Sequence, residues 1–155
     1  MRNPHPKKPI FEYSKITEYI YIGTNQCCWM HFKNSLIKKG VKADISLEKI
    51  RLDQPFGVEY YLWLPTKDHE APTFKQLSLG TDFIRQLVDK KIKIFVHCKN
   101  GHGRAPTLVA AYLISTGKSV NESIELIKMK RPVIHPTKVQ IAALKNFKKR
   151  TQLKI

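Results

Sequence analysis

The stretch HCKNGHGRAPT, residues 97–107, lies between a short β-branched run and a long apolar run. The run before it, IKIFVH at 92–97, is typical of a buried strand in a mainly parallel sheet. The run after it, RAPTLVAAYLIST from Arg104, predicts a buried helix that ends at Gly117. The stretch therefore joins the carboxyl end of a strand to the amino end of a helix, which is where open α/β sheets bind ligands.

Outside this stretch the chain alternates strand-like and helix-like segments. YIYI at 19–22 and VEYYLWL at 58–64 are predicted strands, and residues 29–40 are a predicted helix that stops at Gly40. Further helices are predicted by pairs with capping-box spacing: Thr73 with Gln76, Ser119 with Glu122, and Thr137 with Gln140. We expect a single α/β domain over residues 1–155, with a mainly parallel central sheet flanked by helices and a flexible arm at 1–10.

The composition is ordinary except for its charge. The 155 residues carry 28 Lys and Arg against 12 Asp and Glu, a formal net charge of +16, with much of the excess after residue 127. Such a surface attracts anions, so a phosphorylated substrate, a nucleic acid or an anionic membrane surface are all candidate partners. The chain has no apolar run of membrane-spanning length and no secretory signal, and we expect a cytoplasmic monomer.

The three cysteines, Cys27, Cys28 and Cys98, predict free thiols in a reducing compartment. Cys27 and Cys28 are adjacent, and we interpret them as small buried residues near a strand end. The chain has no CxxC pair, so we expect no metal site.

The loop at 98–104 has the composition of an anion-binding site. Unpaired N–H groups at the amino end of a helix attract an anion, and Gly101 and Gly103 allow close approach and positive φ. The fork of Arg104 matches two phosphate oxygens. Helix N-termini and neighbouring cations favour the ionised form of a cysteine, so we expect Cys98 to act as a thiolate nucleophile on phosphorus. The predicted phosphate-binding residues are Lys99, Asn100, Gly101, His102, Gly103 and Arg104.

The pattern HCxxGxxR resembles the signature of the cysteine-dependent protein tyrosine phosphatase superfamily, in its small dual-specificity branch. The resemblance extends from YIYIG at 19–23 to KMKRPVIHPTKVQIAALKNF at 128–147. It implies a protein tyrosine phosphatase-like fold, hydrolysis of Tyr and Ser/Thr phosphates through a phosphocysteine, and no metal or other cofactor. It also implies that His97 is a buried residue that orients the loop.

The resemblance further implies a general-acid aspartate on a separate loop. Asp68, in LPTKDHEAPT at 64–73, matches that position, with Glu70 as an alternative and Asp82 inside the next helix. The common form of this loop has proline directly before the aspartate, whereas Thr66 and Lys67 intervene here.

Two loop features leave alternatives open. The family usually has Ser or Thr at the position of Ala105, where its hydroxyl helps the thiolate to leave, so a phosphate-binding pseudophosphatase is one alternative. Lys99 also occurs after the cysteine in phosphatases for phosphoinositides and phosphatidylglycerophosphate, often with a second basic residue where His102 stands. A lipid phosphatase is therefore a second alternative, an RNA 5′-phosphatase is a third, and two solvated cations explain Lys99 and His102 equally well.

Overall fold

The computed structural model describes residues 8–153. The elements in this range are β1 (Tyr13–Lys15), β2 (Ile20–Gly23), a 3-10 turn (Asn25–Cys27), α1 (Asn34–Lys38), β3 (Val41–Ser46), β4 (Tyr60–Trp63), α2 (Phe74–Asp89), β5 (Lys93–His97), α3 (Arg104–Ser115), α4 (Val120–Lys130) and α5 (Lys138–Gln152).

The strands form one mainly parallel sheet in the order β1-β2-β5-β3-β4, which confirms the predicted fold class. β5 lies in the centre and pairs in parallel with β2 and β3, β4 extends the parallel part, and β1 is an antiparallel edge strand. His97, the last residue of β5, is level with Gly23 of β2 and Ser46 of β3. The parallel strands therefore end at the same edge of the sheet, and Cys98 follows the central one.

Helix α3 is the buried centre of the helical layer, as its apolar sequence predicts. Most of its residues are buried, and it packs between the sheet and the apolar faces of α2 and α5. The packing against α2 is close, because a Cβ at Gly80 would lie 2.6 Å from Leu108 Cδ1. Dense burial of this kind fixes the amino end of α3, where the candidate site begins.

All three predicted capping boxes are formed. The backbone N–H groups of Gln76, Glu122 and Gln140 donate to the side-chain oxygens of Thr73, Ser119 and Thr137, respectively, at 3.1, 3.0 and 3.3 Å. Each glutamine or glutamate also accepts from the N–H of its capping residue. These helix starts were therefore correctly located from local spacing.

The helix predicted at 29–40 is wrong in extent, since α1 covers only Asn34–Lys38. The backbone N–H of Phe32 donates to the Phe56 carbonyl at 2.9 Å, and that of Lys33 donates to the Cys27 carbonyl at 2.8 Å. These bonds hold the preceding residues as a loop.

Cys27 and Cys28 are fully buried, as predicted, in a second apolar cluster with Phe32 and Phe95. The prediction of free thiols is wrong for this pair, because their sulfurs are joined in a disulfide. Cys27 ends the 3-10 turn and Cys28 follows it, and both side chains belong to this cluster. Cys98 is a free cysteine, as predicted.

Residues 1–7 of the predicted flexible arm lie outside the described residues. Within the described part, the carbonyl of Ile10 accepts a hydrogen bond from the Thr24 hydroxyl at 2.7 Å. Among the helices of residues 8–153, none has the length and apolar content that a membrane crossing requires.

Candidate active site

Cys98 lies at the base of a loop that connects β5 to α3. Its side chain is buried, with 3% of the residue exposed, and α3 begins six residues later at Arg104. Gly101 has the predicted positive φ of 68°, and a Cβ there would lie 2.6 Å from the Gly23 carbonyl oxygen. The tight turn at Gly101 therefore requires glycine.

Gly103 differs from the prediction of positive φ, since its φ is −128°. Glycine is explained here by close packing, because a Cβ at Gly103 would lie 2.9 Å from the Gln140 side-chain oxygen. Gln140 is itself buried at the start of α5. The two glycines thus serve different purposes, a turn at Gly101 and a close contact at Gly103.

The carbonyl groups of residues 99–102 in the loop are bonded to neighbouring segments. The Lys99 carbonyl accepts from the Asn25 N–H at 3.1 Å, and the His102 carbonyl accepts from the His135 N–H at 2.9 Å. The carbonyls of Asn100 and Gly101 accept from the Arg131 guanidinium at 2.9 Å each. A loop whose carbonyls are held by its surroundings presents its N–H groups to an anion.

Arg131 was not recognised from the sequence. Its side chain is buried and also contacts Glu12 at 3.0 Å and Ser14 at 3.2 Å, so it joins the loop to the edge strand β1. Burial lowers the pKa of Arg131, and the carboxylate of Glu12 opposes this effect. In the sequence Arg131 is one of a run of basic residues after 127, with nothing to mark it as buried.

The guanidinium of Arg104 is buried and held on several sides. Nη1 donates to the carbonyls of Thr66 and Leu47 at 2.8 and 3.3 Å, and Nη2 lies 3.5 Å from the buried Glu48 carboxylate. Glu48, which sequence reasoning missed, follows β3 and also accepts from Asn25 at 3.5 Å. The plane of the Arg104 fork is therefore fixed before any phosphate binds.

Asp68 reaches the same guanidinium, with Oδ1 3.4 Å from Arg104 Nη2 and 55% of its side chain exposed. Its loop is attached to α5, where Gln140 donates to the Glu70 carbonyl at 2.9 Å and Thr137 donates to the His69 carbonyl at 3.1 Å. Asp82 is paired with Arg85 on the exposed face of α2 instead. Of the acidic residues considered from the sequence, Asp68 is the one with a carboxylate at Arg104.

His97 lies beneath the loop in a buried charged cluster. Its Nε2 is 3.3 Å from Asp44, 3.2 Å from Asp53 and 3.6 Å from Cys28 Sγ. Burial alone would lower the pKa of His97, but the two carboxylates raise it to about 10. His97 is therefore an imidazolium at neutral pH, a positive charge one residue before Cys98. Sequence reasoning missed Asp44 and Asp53, because each appears there as an ordinary charged residue.

The carboxylates respond differently to this cluster. Burial raises the pKa of Asp44 despite the opposing charge of His97. Burial would also raise the pKa of Asp53, but hydrogen bonds from His97 and Arg51 lower it. Both carboxylates contact His97, and Asp53 also has Arg51 at 2.8 Å as a second partner.

The cluster predicts a loss of stability in alkali. The folded pKa of His97, about 10, exceeds the unfolded value near 6.5, so its contribution is complete below about pH 6.5 and is lost as the pH rises through 10. We expect the urea midpoint of the wild type to fall over this range, and to fall less in His97→Gln. Equilibrium unfolding at several pH values measures this, with His31→Gln as the exposed control. Parallel curves for wild type and His97→Gln would contradict the assignment.

One group of donor atoms in the described part of the chain could hold a metal ion. Atoms of Cys27, Cys28, Asp44 and His97 lie within 4.8 Å of one another, and all four residues are buried. The two sulfurs are bonded to each other, however, and His97 Nε2 faces two carboxylates. A disulfide offers no thiolate for metal coordination, so these donors have other partners in this state.

Comparison with known proteins gives a consistent result. A family described as "Dual specificity phosphatase, catalytic domain" matches residues 20–150. "Putative tyrosine phosphatase 123R" of Invertebrate iridescent virus 6 is 26% identical over 140 residues, 89% of this chain and 93% of the viral protein. The human "Phosphatidylglycerophosphatase and protein-tyrosine phosphatase 1" is 39% identical over 95 residues, 60% of this chain and 47% of the human protein.

The crystal structure of PTPMT1 has a TM-score of 0.79 and 29% identity, over 92% of this chain and 98% of that one. PTPMT1 has also been solved in complex with PI(5)P, at 26% identity to this chain. The matches to the dual specificity protein phosphatases 5 and 1 of Rattus norvegicus cover only 21% and 33% of those longer proteins.

Proposed function

Because the chain belongs to the family of dual specificity phosphatase catalytic domains, we propose that it is a cysteine-dependent phosphatase that hydrolyses phosphate monoesters through a phosphocysteine. Phosphorylated proteins, on tyrosine and on serine or threonine, are the proposed substrates. The contact between Asp68 and Arg104 at 3.4 Å carries the proposal, because it brings a candidate acid to the phosphate ligand of the Cys98 loop.

In the first step the Cys98 thiolate attacks phosphorus, and a sulfur–phosphorus bond forms as the ester oxygen–phosphorus bond breaks. Asp68 gives its proton to the leaving oxygen. Arg104 and the backbone N–H groups of 99–104 hold the remaining phosphate oxygens, whose charge grows in the transition state. In the second step Asp68 takes a proton from water, the water oxygen bonds to phosphorus, and the thiolate leaves.

The test of the activity is hydrolysis of an aryl phosphate by the full chain in the presence of EDTA. We expect turnover that is inhibited by vanadate, and an acid-stable phosphoenzyme after rapid quenching. If the protein binds inorganic phosphate in calorimetry but shows no turnover and no phosphoenzyme, the pseudophosphatase alternative is correct and the proposal is wrong.

Replacing Asp68 with asparagine is expected to lower kcat by about 10²–10⁴-fold, because the leaving oxygen then departs without a proton. The loss should be largest for phosphotyrosine and smaller for an aryl phosphate whose phenol is a strong acid. The matched control is Glu70→Gln on the same loop, which should stay near the wild-type rate. If kcat falls strongly in Glu70→Gln but changes little in Asp68→Asn, Glu70 is the general acid and the assignment to Asp68 is wrong.

Ala105 bears on the second step. Its methyl group is fully buried, and the Thr107 hydroxyl nearby donates to the Gly103 carbonyl at 2.7 Å, so Thr107 does not supply the hydroxyl that Ala105 lacks. We expect Ala105→Ser to accelerate breakdown of the phosphocysteine more than its formation, since a hydroxyl would stabilise the departing thiolate. Burst kinetics measure both steps, and Ala110→Ser, a buried position on the same helix, is the control. An unchanged second step would show that Ala105 only packs.

A lipid phosphatase is the second candidate. The rings of His102 and His135 are 5.0 Å apart at the edge of the loop, near Lys99, and could accept a second anionic group. The likeness to the human phosphatidylglycerophosphatase and to PTPMT1 supports this candidate. A panel of phosphopeptides, phosphoinositides, phosphatidylglycerophosphate and 5′-phosphorylated RNA separates the substrates. We propose a cytoplasmic location for this protein as a monomer, on the ground that the nucleophile Cys98 is a free thiol, although the Cys27–Cys28 disulfide is unusual in a reducing compartment.

A further inference from the structure

Two loops beside the site expose an unusual amount of apolar surface. The loop after β2 exposes Trp29 and Met30, and the loop after β3 exposes Ile50, Leu52 and Phe56. Ile50 is 89% exposed, Met30 76% and Phe56 70%. We call these five residues the apolar patch. Scattered exposed apolar residues are common, but a group this large on adjoining loops marks an interaction surface.

The two loops are bonded to each other, so the patch is preformed. The Gln54 N–H donates to the Cys28 carbonyl at 3.0 Å, and the Phe32 N–H donates to the Phe56 carbonyl at 2.9 Å. The Arg51 guanidinium lies over the Trp29 ring at 4.9 Å and also bonds the Asn25 carbonyl. Little ordering is therefore needed when the patch is covered.

The same loops adjoin the catalytic loop directly. The Asn25 N–H donates to the Lys99 carbonyl at 3.1 Å, and the Leu47 N–H donates to the His97 carbonyl at 2.9 Å. Glu48, between Leu47 and Ile50, is paired with Arg104. Whatever covers the apolar patch must therefore lie close to the phosphate-binding loop.

Exposed positive charge predominates on these loops. Residues 24–33 contain no acidic side chain. Of the three acids of residues 47–59, Glu48 and Asp53 are buried and paired with Arg104 and Arg51, and the exposed Glu59 is paired with Lys42 at 3.3 Å. Lys33 and Lys49 are exposed beside the patch. Apolar and aromatic side chains flanked by cations, with each acid of the two loops paired to a cation, complement an anionic lipid surface.

We propose that the apolar patch docks this protein on an anionic membrane, with the patch in the headgroup region and the phosphate loop facing the lipids. A phosphomonoester carried by a lipid headgroup would then reach Cys98 without leaving the bilayer. The choice of substrate rests on the proposed phosphatase activity, whereas the docking itself does not. A protein partner would bury these residues too, but the exposed Lys33 and Lys49, beside acids that are each paired with a cation, favour the anionic surface.

The test is co-sedimentation of the full chain with phosphatidylcholine vesicles, with and without phosphatidylserine. We expect binding that requires phosphatidylserine and weakens with salt. The double variant Ile50→Ser, Leu52→Ser should have an affinity for these vesicles that is lower by about tenfold or more, because two large side chains no longer enter the bilayer. Lys49→Glu should reduce the preference for phosphatidylserine. The matched control is the double variant Leu79→Ser, Val139→Ser, which changes two exposed apolar residues on α2 and α5, outside the apolar patch. It should bind the vesicles as the wild type does.

Hydrolysis of a soluble aryl phosphate by the same variants separates the two proposals. Equal soluble turnover with lost vesicle binding in Ile50→Ser, Leu52→Ser supports docking by the patch. If the wild type hydrolyses the aryl phosphate but does not bind anionic vesicles, the docking proposal is wrong. If analytical ultracentrifugation shows dimers that depend on the apolar patch, and vesicles are not bound, the patch is an interface between two copies of the chain. The docking proposal is then also wrong. Vesicle binding without any turnover would reject the phosphatase proposal alone.

Discussion

Replacing Cys98 with serine is expected to reduce kcat toward an aryl phosphate by about 10⁴-fold or more. A serine hydroxyl is a far weaker nucleophile than a thiolate, and the positive charge of the neighbouring His97 cannot compensate by ionising it. The serine is nearly the same size, so the buried end of β5 should pack as before.

Phosphate binding provides the control for this variant. Cys98→Ser should bind inorganic phosphate or vanadate with an affinity near that of the wild type, because the N–H groups and Arg104 are unchanged. Trapping of a phosphoenzyme should fail. Turnover within tenfold of wild type would mean that another residue is the nucleophile, and the phosphocysteine mechanism would be wrong.

Replacing Arg104 with lysine is expected to reduce kcat/KM by about 10³-fold, the range seen when a phosphate-stabilising arginine is lost. The guanidinium meets the carbonyls of Leu47 and Thr66 and two carboxylates at once, and it must also face the phosphate. A lysine ammonium is a single point that cannot keep this planar arrangement. The loss should fall mainly on kcat, since the charge on phosphate is greatest in the transition state.

The matched control is Arg85→Lys, at an exposed arginine of α2 that pairs with Asp82. It should keep wild-type kinetics. Urea unfolding of Arg104→Lys distinguishes lost catalysis from lost folding, because the buried Glu48 would lose its partner there. A variant that is folded and retains more than a tenth of wild-type kcat/KM would show that Arg104 has a structural role only.

Local pattern was sufficient for a large part of the fold. The strand, loop and helix around HCKNGHGRAPT were predicted in the correct order, because β5 and α3 are buried elements with continuous apolar sequences. The three capping boxes were correct because both members of each box lie within one helical turn. The spacing of Cys98 and Arg104 similarly predicted a loop between β5 and α3, which the structure shows, and its binding of an anion stays a prediction.

Two segments whose hydrogen bonds go to distant parts of the chain were predicted poorly. The interior strand β3, VKADIS, was not predicted, because Lys42 and Asp44 interrupt its apolar character. Its place in the sheet comes from pairing with β4 and β5. The helix at 29–40 was predicted too long for the same reason, since the N–H groups of Phe32 and Lys33 bond to other loops.

The sequence by itself determined which residues are the candidate nucleophile, phosphate ligand and acid, because each lies in a short segment of recognisable composition. Only the tertiary structure decided what holds them: Glu48 at Arg104, Asp44 and Asp53 at His97, and Arg131 at the loop carbonyls. A buried charge is identified by its partner, and these partners are remote in the chain. They come together because parallel strands end at one edge of the sheet, which local sequence pattern does not encode.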